Sequence, residues 1–261
     1  MNQILRYPGG KARIADWIIS HFPPHEVYCE PFFGSGAVFF RKAPIRIETI
    51  NDINGDVVNL FRVCREHPDE LAQLVALTPY SREEYRASFK PTDDPIERAR
   101  RTLVKYHQSF ARSAQESNGW RNTQVSTGPS DAKVWNKLPE LFGKISRRLK
   151  DAQIENSDAL ELIKRYDNPE TLLYLDPPYP LDLRRKNMYC NEMTQEQHEE
   201  MLSLVKKSKS KIILSSYANE LYDKELSSWL TAEKGCIAQM GAKRTEKIYM
   251  NFQPPLLVLG V

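Results

Sequence analysis

The chain is most constrained where an apolar stretch, Thr171-Leu172-Leu173-Tyr174-Leu175, runs straight into Asp176-Pro177-Pro178-Tyr179. The first part reads as a strand. Two consecutive prolines neither extend a sheet nor easily open a helix, so they stiffen the turn that follows and fix where Asp176 and Tyr179 point. In an open α/β sheet the carboxyl end of a strand is where ligands bind. A carboxylate and an aromatic ring held rigidly there suit a planar substrate that bears an amino group. The carboxylate accepts its N–H bonds, and the ring stacks on its face.

The rest of the chain supplies such a sheet. Residues 11 to 22 have helical apolar spacing (Ile14, Trp17, Ile18, Phe22) and stop before Pro23-Pro24. Val27-Tyr28-Cys29 reads as a short strand, followed by Pro31-Phe32-Phe33-Gly34-Ser35-Gly36 and an expected helix start at Ala37 to Phe40. Ile45 to Ile50 is the next strand and ends at Asn51-Asp52, so an acid stands at a second carboxyl end. Sheet character fades from about Asn59 to Lys150, where helices are interrupted by Pro68, Pro79, Pro91 and Pro95 and by a polar loop at 115 to 130. It returns at Gln153 to Glu155, Thr171 to Leu175, Lys211 to Leu214 and in pieces near Cys236, Lys247 to Asn251 and Leu256 to Leu259. The expected organisation is an α/β core of residues 1–58 and 152–261, interrupted by a helical insertion of residues 59–151.

Charge separates the two parts. The net charge is +3, but Arg98 to Lys150 holds 12 Lys or Arg against three acids, Glu116, Asp131 and Glu140, and is therefore about +9. Several of these charges fit a solvated helix face. The same stretch carries Tyr106, His107, Phe110, Trp120 and Trp135, and basic residues interleaved with aromatics also suit a surface that neutralises phosphates and stacks on bases. The four cysteines are scattered, with no C-x-x-C pair and no histidine cluster beside them, so neither a disulfide framework nor a metal site is expected. No apolar run approaches a membrane span and no signal-peptide pattern opens the chain, which makes the cytoplasm the expected location.

Three motifs carry both a structural and a functional reading. Phe32-x-Gly34-x-Gly36 serves a tight strand-to-helix connection or a loop that lets a ligand approach the backbone. Asp52 serves as a helix N-cap or binds a ribose, since it follows Cys29 by roughly the spacing of the ribose-binding acid in a Rossmann unit. In Asn156-Ser157-Asp158, Ser157 or Asp158 caps the next helix or touches a bound adenine ring. Two chemistries are excluded. A serine nucleophile elbow needs glycine where Phe33 stands, and a phosphate-binding Walker loop around Gly10-Lys11 needs glycine and Ser or Thr where Leu5 and Ala12 stand.

Arg6-Tyr7-Pro8-Gly9-Gly10-Lys11, Glu30-Pro31-Phe32-x-Gly34-x-Gly36, Asn51-Asp52-Ile53-Asn54, Asn156-Ser157-Asp158 and Asp176-Pro177-Pro178-Tyr179 together resemble the adenine-N6 DNA methyltransferases typified by DNA adenine methylase. Their order resembles the group in which cofactor motifs precede an inserted target-recognition region and the catalytic tetrapeptide follows it. Tyr189, His198 to Leu202, Leu214-Ser215-Ser216-Tyr217 and Thr245-Glu246-Lys247 echo the C-terminal half of that family.

The resemblance implies a Rossmann-like class I methyltransferase sheet with an inserted helical target-recognition domain, and S-adenosylmethionine as cofactor. It implies cofactor contacts from Tyr7, Lys11, Glu30, Phe32, Gly34, Ser35, Gly36, Asp52, Asp158 and Asp176. Asp176, Pro177 and Tyr179 would be catalytic: the first two accept the N6 hydrogens of a flipped adenine, and the Tyr179 ring stacks on it. Double-stranded DNA is the implied partner, read or held by Arg112, Asn118, Arg121 and Asn122, with Arg184, Arg185 and Lys186 in a loop from Asp182 to Cys190 that closes over the nucleotide. A monomer or weak dimer is expected. The insertion departs from the GATC-recognising members, with Gln108 to Arg112 and Ser117 to Thr123 in place of their Asn-Pro-Phe-Gly stretch, so GATC is not the expected target. An RNA adenine methyltransferase and a catalytically silent DNA-binding protein are the rival readings.

Overall fold

The computed structural model describes residues 4–110, 119–122, 130–180, 191–237 and 243–255. The chain forms two compact units: Met1–Gly10, Asn54–Asp151 and Met188–Cys190 make one, and Lys11–Ile53, Ala152–Asn187 and Asn191–Val261 the other. The helical unit thus begins at Asn54 instead of residue 59, and takes in the first ten residues.

The helical unit contains α2 (Gly55–Glu66), α3 (Pro68–Ala76), α4 (Arg82–Ala87), α5 (Pro95–Gln108), α6 (Asp131–Trp135) and α7 (Pro139–Leu149). Short polar side chains start four of them by accepting first-turn N–H groups: Asn54, Ser81, Asp94 and Ser130. Pro68, Pro95 and Pro139 each occupy the first helical turn, where the missing N–H costs nothing, so Pro68 and Pro95 open helices as much as they interrupt them. Phe61, Leu71, Leu103, Trp135, Phe142 and Ile145 are buried at the centre, and the Trp135 Nε1–H donates to the Thr78 carbonyl at 2.8 Å. After α5 the chain pairs with itself: Arg121 N–H donates to the Gln108 carbonyl at 2.7 Å, and Phe110 N–H to the Gly119 carbonyl at 3.0 Å.

The other unit is a seven-stranded sheet: β1 (Val27–Glu30), β2 (Ile47–Asn51), β3 (Gln153–Glu155), β4 (Thr171–Leu175), β5 (Lys211–Tyr217), β6 (Leu230–Ile237) and β7 (Lys243–Met250). Their spatial order is β3-β2-β1-β4-β5-β7-β6. The first five are parallel, and β7 runs antiparallel between β5 and β6. This is a Rossmann-like sheet whose winding reverses between β1 and β4, which makes the carboxyl ends of those two strands the switch point where such sheets bind ligands.

Register sorts the side chains. Cys29, Leu173, Leu175, Ile212, Leu214 and Tyr249 belong to one apolar cluster with Leu160, Leu162 and Ile163 of α8 (Ala159–Arg165), Met201, Leu202 and Val205 of α9 (Gln195–Lys207), and Tyr222 of α10 (Glu220–Glu225). Truncating a residue such as Leu173 in that core costs about 2–5 kcal/mol. Residues of opposite parity, Tyr28, Glu30, Tyr174, Ser215, Tyr217 and Glu246, share the other face, because Tyr174 pairs with Ile213 and Tyr217 with Glu246. One face is thus apolar, while the other sets carboxyls and hydroxyls among Leu172, Ile213, Ile248 and Met250.

Three local expectations are corrected. The helix expected from residue 11 is α1 (Ala15–Ser20), preceded by a turn in which Ile14 N–H donates to the Lys11 carbonyl at 2.9 Å. The strand expected at 45–50 is Ile47–Asn51. No helix starts at Ala37. Residues 37 to 41 are turns, all of residues 37–40 are buried, and Pro44 prevents continuation. With Phe33, Phe39 and Phe40 packed edge to face at 5.2–5.8 Å, this segment has no polar side to present as a surface helix. The pieces expected at Leu256 to Leu259 lie outside the described residues.

Candidate active site

The parallel register of β4 and β5 matches Leu175 with Leu214, so the next residue, Asp176, comes level with Ser215 on the polar face. Pro177 and Pro178 then turn the chain and bury Tyr179. Lys11, before α1, is 5% exposed and donates from Nζ to Asp176 Oδ1 at 2.7 Å. The same ammonium lies 4.8 Å above the Tyr179 ring centroid and 3.7 Å from Glu246 Oε1. Glu246, in turn, accepts the Tyr179 hydroxyl and, at 2.8 Å, the Ser215 hydroxyl. The Tyr217 ring meets Tyr179 edge to face at 4.7 Å.

Burial sets the charges. It pushes the Asp176 carboxyl up to about 6; the Lys11 ammonium opposes the rise and the Glu246 charge adds to it. Burial pushes Glu30, at the end of β1, up to about 8, with the hydrogen bond from Tyr28 at 2.8 Å opposing and the Asp176 charge adding. Burial thus raises both carboxyls, and the bonded Lys11 ammonium opposes the rise at Asp176 where a neutral hydroxyl does so at Glu30.

A second cluster lies beside the first, where β1 and β2 end. Asn51 pins two loops, donating to the carbonyls of Pro31 at 2.9 Å and Ser157 at 3.0 Å and accepting Ser157 N–H at 2.8 Å. Asp52 Oδ2 accepts the Gly34 N–H at 2.8 Å. Gly34 and Gly36 have φ of 50° and 64°, the left-handed region that favours glycine. A Cβ on Gly36 would lie 2.4 Å from Phe33 Cζ, so this turn admits no larger residue without moving the aromatic cluster.

Of the residues expected at a cofactor site, the structure places Lys11, Glu30, Gly34, Ser35, Gly36, Asp52 and Asp176 along the carboxyl ends of β1, β2 and β4. Phe32 packs on the opposite, apolar core. Asp52 is not the helix cap; Asn54 caps α2 instead. Asp158 does cap, accepting Leu160 N–H at 2.7 Å to start α8. Tyr7 belongs to the helical unit and stacks on Tyr106 with centroids 5.4 Å apart. Among residues expected to touch DNA, Arg112, Asn118, Arg184, Arg185 and Lys186 lie outside the described residues. Asn122 is exposed. The Arg121 Nε is committed to Asp131 Oδ2 at 2.9 Å, while Arg6 holds the other oxygen at 2.8 Å.

Glu246, Ser215 and Tyr217 lie in stretches that echo the family's C-terminal half, and the sequence alone assigns them no role. The usable signal was a carboxylate inside a strand that otherwise ends Ile248-Tyr249-Met250.

A family model described as "D12 class N6 adenine-specific DNA methyltransferase" matches residues 7–238. The chain is 29% identical to "Type II methyltransferase M1.LlaDCHI" of Lactococcus lactis subsp. cremoris over a stretch covering 67% of this chain and 64% of that protein. It is 25% identical to "Type II methyltransferase M.MjaIII" of Methanocaldococcus jannaschii, covering 67% and 68%. Identity to the "DNA adenine methylase" of Escherichia coli strain K12 is 31%, over 36% of each chain. The aligned part of the chain therefore spans 64% or less of the first and third of these relatives and 68% of the second.

Proposed function

Because this chain belongs to the D12 class N6 adenine-specific DNA methyltransferase family, we propose that it methylates N6 of an adenine flipped out of double-stranded DNA. The observation that carries the reading is Asp176, held at the sheet's switch point by an ammonium that also lies over the Tyr179 ring. Those are the two contacts, a carboxylate acceptor and a ring face, that an adenine amine would use in turn.

S-adenosylmethionine, when bound, supplies an electrophilic methyl group carried on a sulfonium. The donor set fits it. The glycine turn after β1 allows close backbone approach, Asp52 offers a carboxylate suited to ribose hydroxyls, Asp176 is an acid suited to a cationic ligand, and Glu30 adds a polar carboxyl at the end of β1. Asp158 caps α8 through the Leu160 N–H, and the adenine of the cofactor is assigned to its segment.

The amine of adenine is delocalised into its ring and is a weak nucleophile. Asp176 and the Pro177 carbonyl would accept hydrogen bonds from its two N–H groups and favour a more pyramidal nitrogen whose lone pair is aimed by the rigid turn; as the new N–C bond forms, N6 gives up one proton and keeps the other. Tyr179 stacks on the base, which returns about 1–3 kcal/mol of the cost of flipping. The contribution is positioning and electrostatics, with no covalent enzyme intermediate. The basic helical unit is the part we assign to DNA, with Arg121 and Asn122 among the residues that read or hold it.

The test is incubation of the protein and S-adenosylmethionine with methyl-free duplex DNA, followed by base-resolved sequencing for N6-methyladenine. Methylation at one short motif supports a sequence-reading insertion, and methylation at most adenines makes it a general clamp. Methylation of RNA alone overturns the DNA assignment, and methylation of neither substrate identifies a silent binding protein.

A further inference from the structure

Glu246 is 3% exposed and lies beside the carboxyl end of β5, and the side chains it bonds or pairs with, Tyr179, Ser215 and Lys11, belong to the proposed site. It is placed by register: β7 runs antiparallel to β5, Glu246 pairs with Tyr217, and Ser215 lies two residues along on the same face. Its Oε1 accepts from both Ser215 and Tyr179 and stands 3.7 Å from the Lys11 ammonium. Lys11 is thus shared between two carboxylates, bonded to Asp176 at 2.7 Å with Glu246 one ångström farther.

We propose that Glu246 is the positioning residue of the site, anchoring Tyr179 through its hydroxyl and receiving the Lys11 ammonium when an amine takes its place on Asp176. This rests on the adenine-transfer reading and deepens it. An ammonium bonded to Asp176 Oδ1 and lying over the Tyr179 ring fills the volume a stacked base and its amine require, so it must withdraw. Glu246 is within reach of that withdrawal, and the exchange keeps one cation beside two anions throughout. The Ser215 hydroxyl holds the Glu246 carboxylate in place as the partner changes. The groups facing Asp176 are Lys11, Glu246, Glu30, Tyr174 and Tyr179.

The experiment has two readouts on wild type, E246Q and E246D. The first is carboxyl-carbon NMR titration of Asp176 in protein without substrate. E246Q removes a neighbouring negative charge that raises Asp176, so the Asp176 midpoint moves to lower pH; E246D keeps the charge and leaves the midpoint in place. The second is single-turnover methyl transfer, where E246Q and E246D both fall by about 10- to 100-fold, from weakening of the charge-assisted hydrogen bond that Tyr179 donates and of the ion pair with Lys11, while donor and DNA affinities change by less than about threefold.

An unmoved Asp176 midpoint in E246Q overturns the proposal, as does transfer within about threefold of wild type in both variants. If E246Q does not fold, E246D decides by its rate. A wild type that transfers no methyl while its midpoint still responds to E246Q sinks the adenine reading and supports the coupling, because the titration uses no substrate.

Discussion

Lys11 and Asp176 are 165 residues apart in the chain and meet at 2.7 Å, with Lys11 5% and Asp176 19% exposed. The ammonium keeps the carboxyl ionisable at all: burial and Glu246 push Asp176 up, and Lys11 pulls it back toward about 6. Transfer requires the carboxylate, so the acid limb of the pH–rate profile should fall near pH 6 in the wild type. Lys11→Met removes the opposing cation and moves that limb upward by about one unit. A limb that stays in place or moves down in the variant would separate the pH dependence of the reaction from this pair.

Asp176→Ala deletes the acceptor without disturbing the apolar face, since Asp176 lies beyond the end of β4 on the polar side. Methyl transfer should drop by about a thousandfold or more, while binding of duplex DNA stays within about threefold, because phosphates are held by basic residues. Gel-shift and single-turnover assays on the same preparation check both halves. Substantial residual transfer would remove Asp176 from the chemistry.

Tyr179 separates the ring from the hydroxyl. Tyr179→Phe keeps the stacking face and the edge contact with Tyr217 but loses the bond to Glu246, and should slow transfer by about tenfold. Tyr179→Ala loses the stacking as well, about 1–3 kcal/mol more, and should be slower again by at least tenfold. Equal losses in the two variants would mean that the hydroxyl alone matters.

Much of this was legible in the sequence because it depends on neighbours along the chain. The strand at Thr171–Leu175, the turn at Pro177-Pro178 and the cap at Asp158 are local. So was the alternation of helical and sheet segments, because periodicity and proline placement act within one element. The segment at Ala37 was misread for a physical reason: an apolar run can be a helix or a buried chain of turns, and only the packing of Phe33, Phe39 and Phe40 decides. Glu246 was quoted yet given no role, because its contacts to Lys11, Tyr179 and Ser215 depend on β7 inserting beside β5, a pairing that crosses the chain order. Arg121 is expected from its residue type to read or hold DNA, and its Nε bond to Asp131 is a contact within the fold that residue type does not show.

Glu30 makes a prediction about stability. It is 2% exposed, and burial raises its carboxyl from 4.5 to about 8 in the folded protein. A carboxyl with a raised folded-state pKa binds its proton more tightly when folded. Between about pH 4.5 and pH 8 the wild type therefore loses stability as pH rises, and the loss is complete above 8. Glu30→Gln cannot ionise and still accepts the Tyr28 hydroxyl, so its stability does not fall across that window. Relative to wild type, the variant should gain on the order of 2 kcal/mol or more between pH 5 and pH 9, which for a chain of this size widens the Tm difference by roughly 5 °C. Melting curves of the two proteins at pH 5, 7 and 9 measure the effect directly. Parallel Tm–pH curves would mean that Glu30 keeps an ordinary carboxyl pKa in the fold, and that Asp176 has a second full negative charge beside it at neutral pH.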